Sequence, residues 1–393
     1  MSTLAEIWRE GQTLLDAKKR RQFIDYTYKA LREVPQQHVG EAYGTHFDRL
    51  IFVCQQLPDL AEIAERCAAL SDWDYARNGE TAWGLLGRGV GALASGDLDL
   101  MDTCITLSAG KPLFKRWTIA LGVFNHRPPS YLAHLHKAGT QPALPTTFSF
   151  NPTHEARTDD IILLVSCDSG YLRQFAAPAF RSSRAAGDAL IHCHIVNPNA
   201  EDMQFVRDLA AEGGRINVST ESSPFVEGLG PGRGRAGYLI NPRFIHAPRL
   251  LEHYQRPLFI SDIDAAILSP WSEIKEALAP YDVGIRRVAG QYPWRKNAAG
   301  SGYFAPTESG KLFANLVSLY IRSALDLTTH KINWLIDQNA LFCAERTMAL
   351  LGAPLNAIPL TNAHDYTRLA QYFDGGKEGF KAANAVGETV LNS

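Results

Sequence analysis

The stretch Pro257-Leu-Phe-Ile-Ser-Asp-Ile-Asp-Ala-Ala-Ile-Leu268 constrains this chain more than any other. Leu258, Phe259 and Ile260 form an apolar run too short for a helix, and it stops at two carboxylates, Asp262 and Asp264, with a single isoleucine between them. An unbroken run of this kind reads as a buried strand, as in a parallel or mixed sheet covered by helices. Such sheets open into a crevice where their strands end, and ligands bind there. In extended backbone, residues two apart project to the same side, so Asp262 and Asp264 can share one divalent cation. Mg²⁺ or Mn²⁺ takes one or two carboxylates together with diphosphate oxygens, which points to a nucleotide ligand rather than a closed protein cage. Asp-x-Asp also occurs in solvated loops; its position after a hydrophobic strand is what favours the metal reading.

At 393 residues the chain exceeds one ordinary core and accommodates two domains. Hydrophobic residues make up 46% and charged ones 20%, the balance of a soluble globular protein. A formal net charge of −2 provides no basic field for nucleic acid or an anionic membrane. The cysteines (Cys54, Cys67, Cys104, Cys167, Cys193, Cys343) show no C-x-x-C spacing and read as reduced core residues. The N-terminus carries charges where a signal peptide needs an apolar core, and a cytoplasmic location is the expectation.

Apolar residues recur at helical intervals through Ile24, Tyr28 and Leu31, then Phe47, Leu50, Ile51 and Cys54, then Trp83, Leu86, Val90 and Leu93. Residues 1–125 are therefore expected to form an α-helical domain of antiparallel hairpins. The turn at Ala94-Ser-Gly-Asp-Leu98 is similar to that of a tetratricopeptide-type repeat, without a sustained period. A proline-rich linker is expected over 126–158. His134 and His136 there read as solvated or capping residues, since no cysteine or carboxylate cluster accompanies them. Asp160–Ser166 predicts a strand, Leu172–Phe180 a helix and Ala189–Val196 a second strand, a βαβ unit opening an α/β domain over 159–393. His192 and His194 share one face of the second strand; packing with satisfied ring nitrogens is the expectation over metal ligation. Gly228-Leu-Gly-Pro-Gly-Arg-Gly-Arg-Ala-Gly237 lacks the ending and flanks of a Walker or Rossmann loop. It reads as a mobile loop beside an anion site or as a disordered insertion. Ala298–Phe304 reads as a turn feeding a strand.

Taken together, residues from about 159 onward resemble the GT-A domain of the glycogenin-like nucleotide-diphosphosugar transferases. Cys167-Asp168-Ser-Gly-Tyr171 resembles that group's opening segment, whose Asp and Tyr contact the nucleotide base. Tyr238–Arg243 ahead of Leu250-Leu251 resembles its helix before the metal motif, whose arginine reaches toward the phosphates. Ser261-Asp-Ile-Asp264 resembles the Asp-x-Asp motif, Gly300-Ser301-Gly302 the turn beside the donor sugar, and Ile336-Asp337-Gln338-Asn339 the downstream Asp-Gln helix. The group's C-terminal His, Gly and Lys cluster has a counterpart in Lys377 after Gly375-Gly376, while the nearest histidine, His364, stands well upstream.

The resemblance implies a GT-A-like Rossmannoid mixed sheet flanked by helices and preceded by the helical domain. It also implies a nucleotide-diphosphate sugar donor, UDP favoured, with Mn²⁺ or Mg²⁺ on Asp262, Asp264 and His364. Asp168, Tyr171, Arg243, Ser261 and Lys377 would serve the nucleotide; Gly300, Ser301 and Gly302 the sugar; Asp337 and Gln338 the reacting face. Retention of anomeric configuration is favoured and inversion stays open. The acceptor, whether glycan, lipid or protein, is open too, and the helical domain has the character of a protein-binding module. Two other readings compete: a helical scaffold carrying a degenerate transferase domain, and a haloacid-dehalogenase-type phosphohydrolase. The latter fits less well, because its Asp-x-Asp normally opens the domain.

Overall fold

The structure, a computed structural model, describes residues 4–35, 40–111, 120–139, 141–224, 226, 233–288, 290, 292–325, 335–361 and 364–384. It divides into two units, one of residues 1–128 and 288–296, the other of 129–287 and 297–393.

The first unit is helical: α1 (Leu4–Asp16), α2 (Arg20–Glu33), α3 (Glu41–Cys54), α4 (Leu60–Asn78), α5 (Ala82–Ser95) and α6 (Leu98–Ala109). Side chains that prefer N-caps mark the starts: Asp59 accepts from the Ala61 N–H, Thr81 from Gly84 and Asp97 from Leu100. Consecutive helices α4, α5 and α6 pack on one another, as the helical periodicity predicts. Segment 288–296 belongs to this unit although it lies far along the chain. Its Tyr292 and Trp294 are fully buried, with rings stacked 5.0 Å apart. Gly122 lies against the Trp294 indole so closely that a Cβ there would overlap the ring. Gly122→Ala is therefore expected to destabilise the chain by about 2 kcal/mol or more through overpacking, seen as a lower melting temperature in circular dichroism.

The second unit is a three-layer α/β domain. Its elements are α7 (Pro129–Lys137), β1 (Thr147–Phe150), β2 (Ile162–Asp168), α8 (Ser169–Ala185), β3 (Leu190–Val196), α9 (Ala200–Ala211), β4 (Ile216–Ser222), α10 (Arg233–Leu239), α11 (Pro242–Tyr254), β5 (Leu258–Ser261), β6 (Ala265–Ile267), α12 (Trp271–Leu278), β7 (Val283–Arg287), β8 (Asn297–Phe304), α13 (Glu308–Ala324), α14 (Ile336–Leu350), β9 (Ala357–Pro359), β10 (Thr367–Leu369) and α15 (Gly376–Ala383). Among the described residues the main sheet is eight-stranded, in the order β1-β4-β3-β2-β5-β8-β7-β9. Strands β4, β3, β2 and β5 run parallel; β1 and β8 are antiparallel to their neighbours. A smaller sheet pairs β6 with β10.

Alternate residues of each central strand feed opposite layers. Ile162, Leu164, Leu258 and Ile260 pack with Phe244, Leu250 and Leu251 of α11 and with α13 and α14. Leu163, Val165 and Phe259 pack with Leu172 and Phe175 of α8 and Trp271 of α12. Burial on both faces explains why these strands read as unbroken apolar runs.

Particular expectations meet differences here. Residues 126–158, read as linker, carry α7 and β1, and β1 pairs with β4 along Thr147–Phe150. Gly300, Ser301 and Gly302 lie inside β8 rather than in a turn, Gly302 opposite Ile260 and Ser301 opposite Ser261. The first half of the glycine-rich stretch, residues 228–232, falls outside the described residues. All the cysteines are buried and free. Among the described residues no helix is long and apolar enough to cross a membrane.

Candidate active site

Strands β2 and β5 are parallel neighbours, Leu164 opposite Ile260, so their carboxyl ends meet at one edge of the sheet. That edge carries the carboxylates. Just beyond β5 the Asp262 N–H donates to the Gly300 carbonyl at 3.0 Å, which pins the motif to β8. A Cβ on residue 300 would stand 3.0 Å from Asp262 Oδ2, so the glycine keeps that oxygen clear. Asp262 Oδ1 is paired with the Arg243 guanidinium, delivered by the first turn of α11. Arg243 is buried, and its Nη2 also donates to the Ala299 carbonyl at 3.0 Å. Burial raises the Asp262 carboxyl above its ordinary value, Arg243 pulls against that, and Asp264 adds to it.

Asp264 stands where the chain turns from β5 into β6. Its carbonyl accepts from the Ala370 N–H at 2.7 Å, and β6 pairs with β10, tying the C-terminal segment to the motif. Lys377 follows from that tether. Gly375 and Gly376 hold φ of 76° and 61°, a left-handed pair in which glycine avoids a Cβ clash, and α15 then starts with Lys377 in its first turn. The Lys377 ammonium lies 3.5 Å from Asp264 Oδ2 and donates to the Tyr171 hydroxyl at 3.0 Å. It also sits over the Tyr171 and Phe175 rings, at 4.8 and 5.0 Å from their centroids. Tyr171 is 43% exposed, so part of this side chain remains in solvent at the edge. Asp168 caps α8, with Oδ1 accepting from the Tyr171 N–H at 3.0 Å, and Arg235 reaches its Oδ2 at 3.3 Å.

Asp337 opens α14 after Leu335, a non-glycine residue at φ 65°. It is buried, and burial pushes its carboxyl up to about 6; Arg243 opposes the shift and Asp262 adds to it, so the three share one electrostatic field. Gln338 beside it is half-buried. Ser261 and Ser301 are buried within the sheet, the Ser261 hydroxyl turned to the Asp262 carbonyl at 3.2 Å. His364 Nδ1 lies 2.9 Å from the Tyr366 hydroxyl. The structure thus gathers Asp262, Asp264, Asp337, Arg243, Lys377 and Tyr171 through contacts and shared fields. It does not bring His364 into a converging group with the two motif carboxylates. Arg235, from the glycine-rich stretch, is marked as a site residue only by its hydrogen bond to Asp168.

Among the described residues one trio of potential ligands does converge: His194, Glu221 and His246, buried together behind β1. His192 meets the expectation of a satisfied ring, with Tyr254 at 2.7 Å and Ser219 at 2.8 Å. His194 meets it only at Nδ1, 2.8 Å from Ser219 Oγ. His134 and His136 stand in the last turn of α7.

No family model matches this chain. No curated protein matches it either. Solved structures do. The apo WbbM bifunctional glycosyltransferase shares 12% identity over 49% of this chain, which spans 38% of that one, at a TM-score of 0.35. Mouse xyloside xylosyltransferase 1 shares 14% over 51% of this chain and 85% of its own, at 0.32. GlyE of Streptococcus pneumoniae TIGR4 shares 13% over 53% of this chain and 46% of its own, at 0.34. Likenesses this distant assign neither family nor activity, and a functional reading rests on the site.

Proposed function

We propose that the chain is a metal-dependent glycosyltransferase that moves a sugar from a nucleotide diphosphate, UDP favoured, to an acceptor hydroxyl. The observation that carries this reading is the carboxylate pair at the carboxyl edge of β5, flanked by Arg243 and Lys377, with Asp337 buried in the same field. Two carboxylates with Asp262 Oδ2 kept clear by Gly300 are a donor set suited to Mn²⁺ or Mg²⁺. A cation held there would supply Lewis-acid neutralisation of the leaving diphosphate.

The chain's own residues do the rest. Lys377 and Arg243 add positive charge where the departing phosphate oxygens gather negative charge. The part-exposed Tyr171 ring offers a stacking surface for the base. In the reaction the bond from the anomeric carbon to the β-phosphate oxygen breaks and a bond to the acceptor oxygen forms. The acceptor's proton passes to Asp337 in an inverting course, or to the leaving phosphate in a retaining one with Asp337 facing the oxocarbenium centre.

A second reading has a specific observation behind it. Both motif carboxylates already have cationic partners, Arg243 on Asp262 and Lys377 on Asp264. A domain that keeps those pairs closed would be a non-catalytic scaffold. Thermal denaturation separates the two: UDP with Mn²⁺ is expected to raise the melting temperature by on the order of 5 °C at a hundredfold excess over Kd, and UDP with EDTA to leave it unchanged. No shift with any nucleoside diphosphate and metal would favour the scaffold.

A further inference from the structure

The geometry points to a second metal centre, a Zn²⁺ site formed by His194, Glu221 and His246 on the face of the sheet away from α8. His194 on β3 and Glu221 on β4 come from parallel neighbours, His194 pairing with Ser219 and Val196 with Glu221. Helix α11 lies over the same face and lowers His246 onto them. His246 Nε2 is 2.7 Å from Glu221 Oε2, and His194 Nε2 is 3.8 Å from that same oxygen. The three ligand atoms lie within 4.8 Å of one another.

Three features separate this cluster from an ordinary buried hydrogen-bond network. His194 Nε2 is fully buried and has no hydrogen-bond partner, yet it is aimed at a carboxylate. An orphaned buried nitrogen is costly, and a cation shared with Glu221 would give it a partner. Next, the other nitrogen of the His194 ring is held by Ser219 Oγ at 2.8 Å, and Ser219 is fixed in turn by His192 Nε2 at 2.8 Å. That is the outer support by which metal-bound imidazoles are oriented. The Tyr238 hydroxyl does the same for the far oxygen of Glu221. Finally, Phe148 stacks against His194 and His246, with centroids 5.8 and 4.6 Å away, and gives the site a dry wall.

The donor set decides the ion. Two imidazoles and one carboxylate suit Zn²⁺, whereas Mg²⁺ and Ca²⁺ ask for oxygen ligands throughout. His246 also lines a pocket of about 370 Å³ with Arg249, Lys311 and Arg322. Glu252 lines that pocket too, so its wall carries both signs of charge beside His246.

The experiment is metal analysis of the full chain after incubation with Zn²⁺ and gel filtration. The wild type is expected to hold about one Zn²⁺, and Asp264→Asn to hold the same amount, which separates this centre from the carboxylate pair. His194→Gln is expected to lose at least tenfold in Zn²⁺ affinity. If that variant does not fold, Co²⁺ added to the wild type decides: a four-coordinate centre has strong visible d–d bands. Folded wild type that retains no Zn²⁺, a Co²⁺ complex without those bands, or His194→Gln with undiminished affinity would each overturn the site.

Discussion

Asp264→Asn is expected to abolish the metal-dependent binding of UDP and to lower sugar transfer by roughly a thousandfold or more, while the melting temperature of the unliganded protein barely moves. The loss has the scale of one Lewis-acid contact, several kcal/mol, at about 1.4 kcal/mol per tenfold in rate. The stability is spared because the partner of Asp264 is Lys377, whose side chain is 43% exposed and can return to water. Asp262→Asn should behave differently, since it removes the anionic partner of Arg243, whose side chain is only 4% exposed. Asp262 itself is part-exposed and burial already disfavours its charged form, so the cost of leaving Arg243 without its anion is partly offset, and this variant should lose activity together with less stability than the about 3–5 kcal/mol of a fully buried pair. Release of UDP from UDP-sugars, with thermal denaturation of each variant alongside, reads both effects. Undiminished release by Asp264→Asn would remove the carboxylate pair from the chemistry.

The contrast between the two aspartates was not readable from Asp-Ile-Asp alone. What the sequence carried was the strand before them: an apolar run closed by acids means burial on two faces followed by an edge, and β5 between the α8 and α11 layers has that form. The α/β class and the helical N-terminal region were legible for the same reason, since period and run length report burial directly. Tyr292 and Trp294 were not legible as core of the helical unit, because nothing local tells a loop aromatic which core it will enter. Gly300-Ser-Gly302 reads as a turn on propensity. It is a strand because pairing with β5 overrides propensity and because the clearance beside Asp262 asks for a bare Cα. The trio around Glu221 does have a mark in the sequence. Asn217, Ser219 and Glu221 alternate along β4 as His192 and His194 do along β3, and a polar stripe on a strand bound for the interior asks for partners in register.

Asp337→Asn is expected to lower transfer by about a hundredfold to ten-thousandfold, the range for a positioned acid or base, and at the same time to make the protein more stable above neutral pH. The two effects share one cause. Burial lifts the Asp337 carboxyl from 3.8 to about 6, so the folded chain holds a proton there that the unfolded chain has already released. Stability from this residue is therefore greatest at low pH and is lost as pH rises from about 4 through about 6, by ~3 kcal/mol in all. Asparagine carries no charge to bury and should recover most of that difference at pH 8. Activity runs the other way: if the ionised carboxylate faces the sugar, kcat/KM climbs with pH through about 6 in the wild type, and that limb vanishes in the variant. A residue kept only to cap or pack α14 would give the reverse signature, stability lost and activity kept. Measuring pH–rate and pH–stability profiles on the same two proteins therefore decides whether the buried acid beside Arg243 is there for the reaction or for the helix.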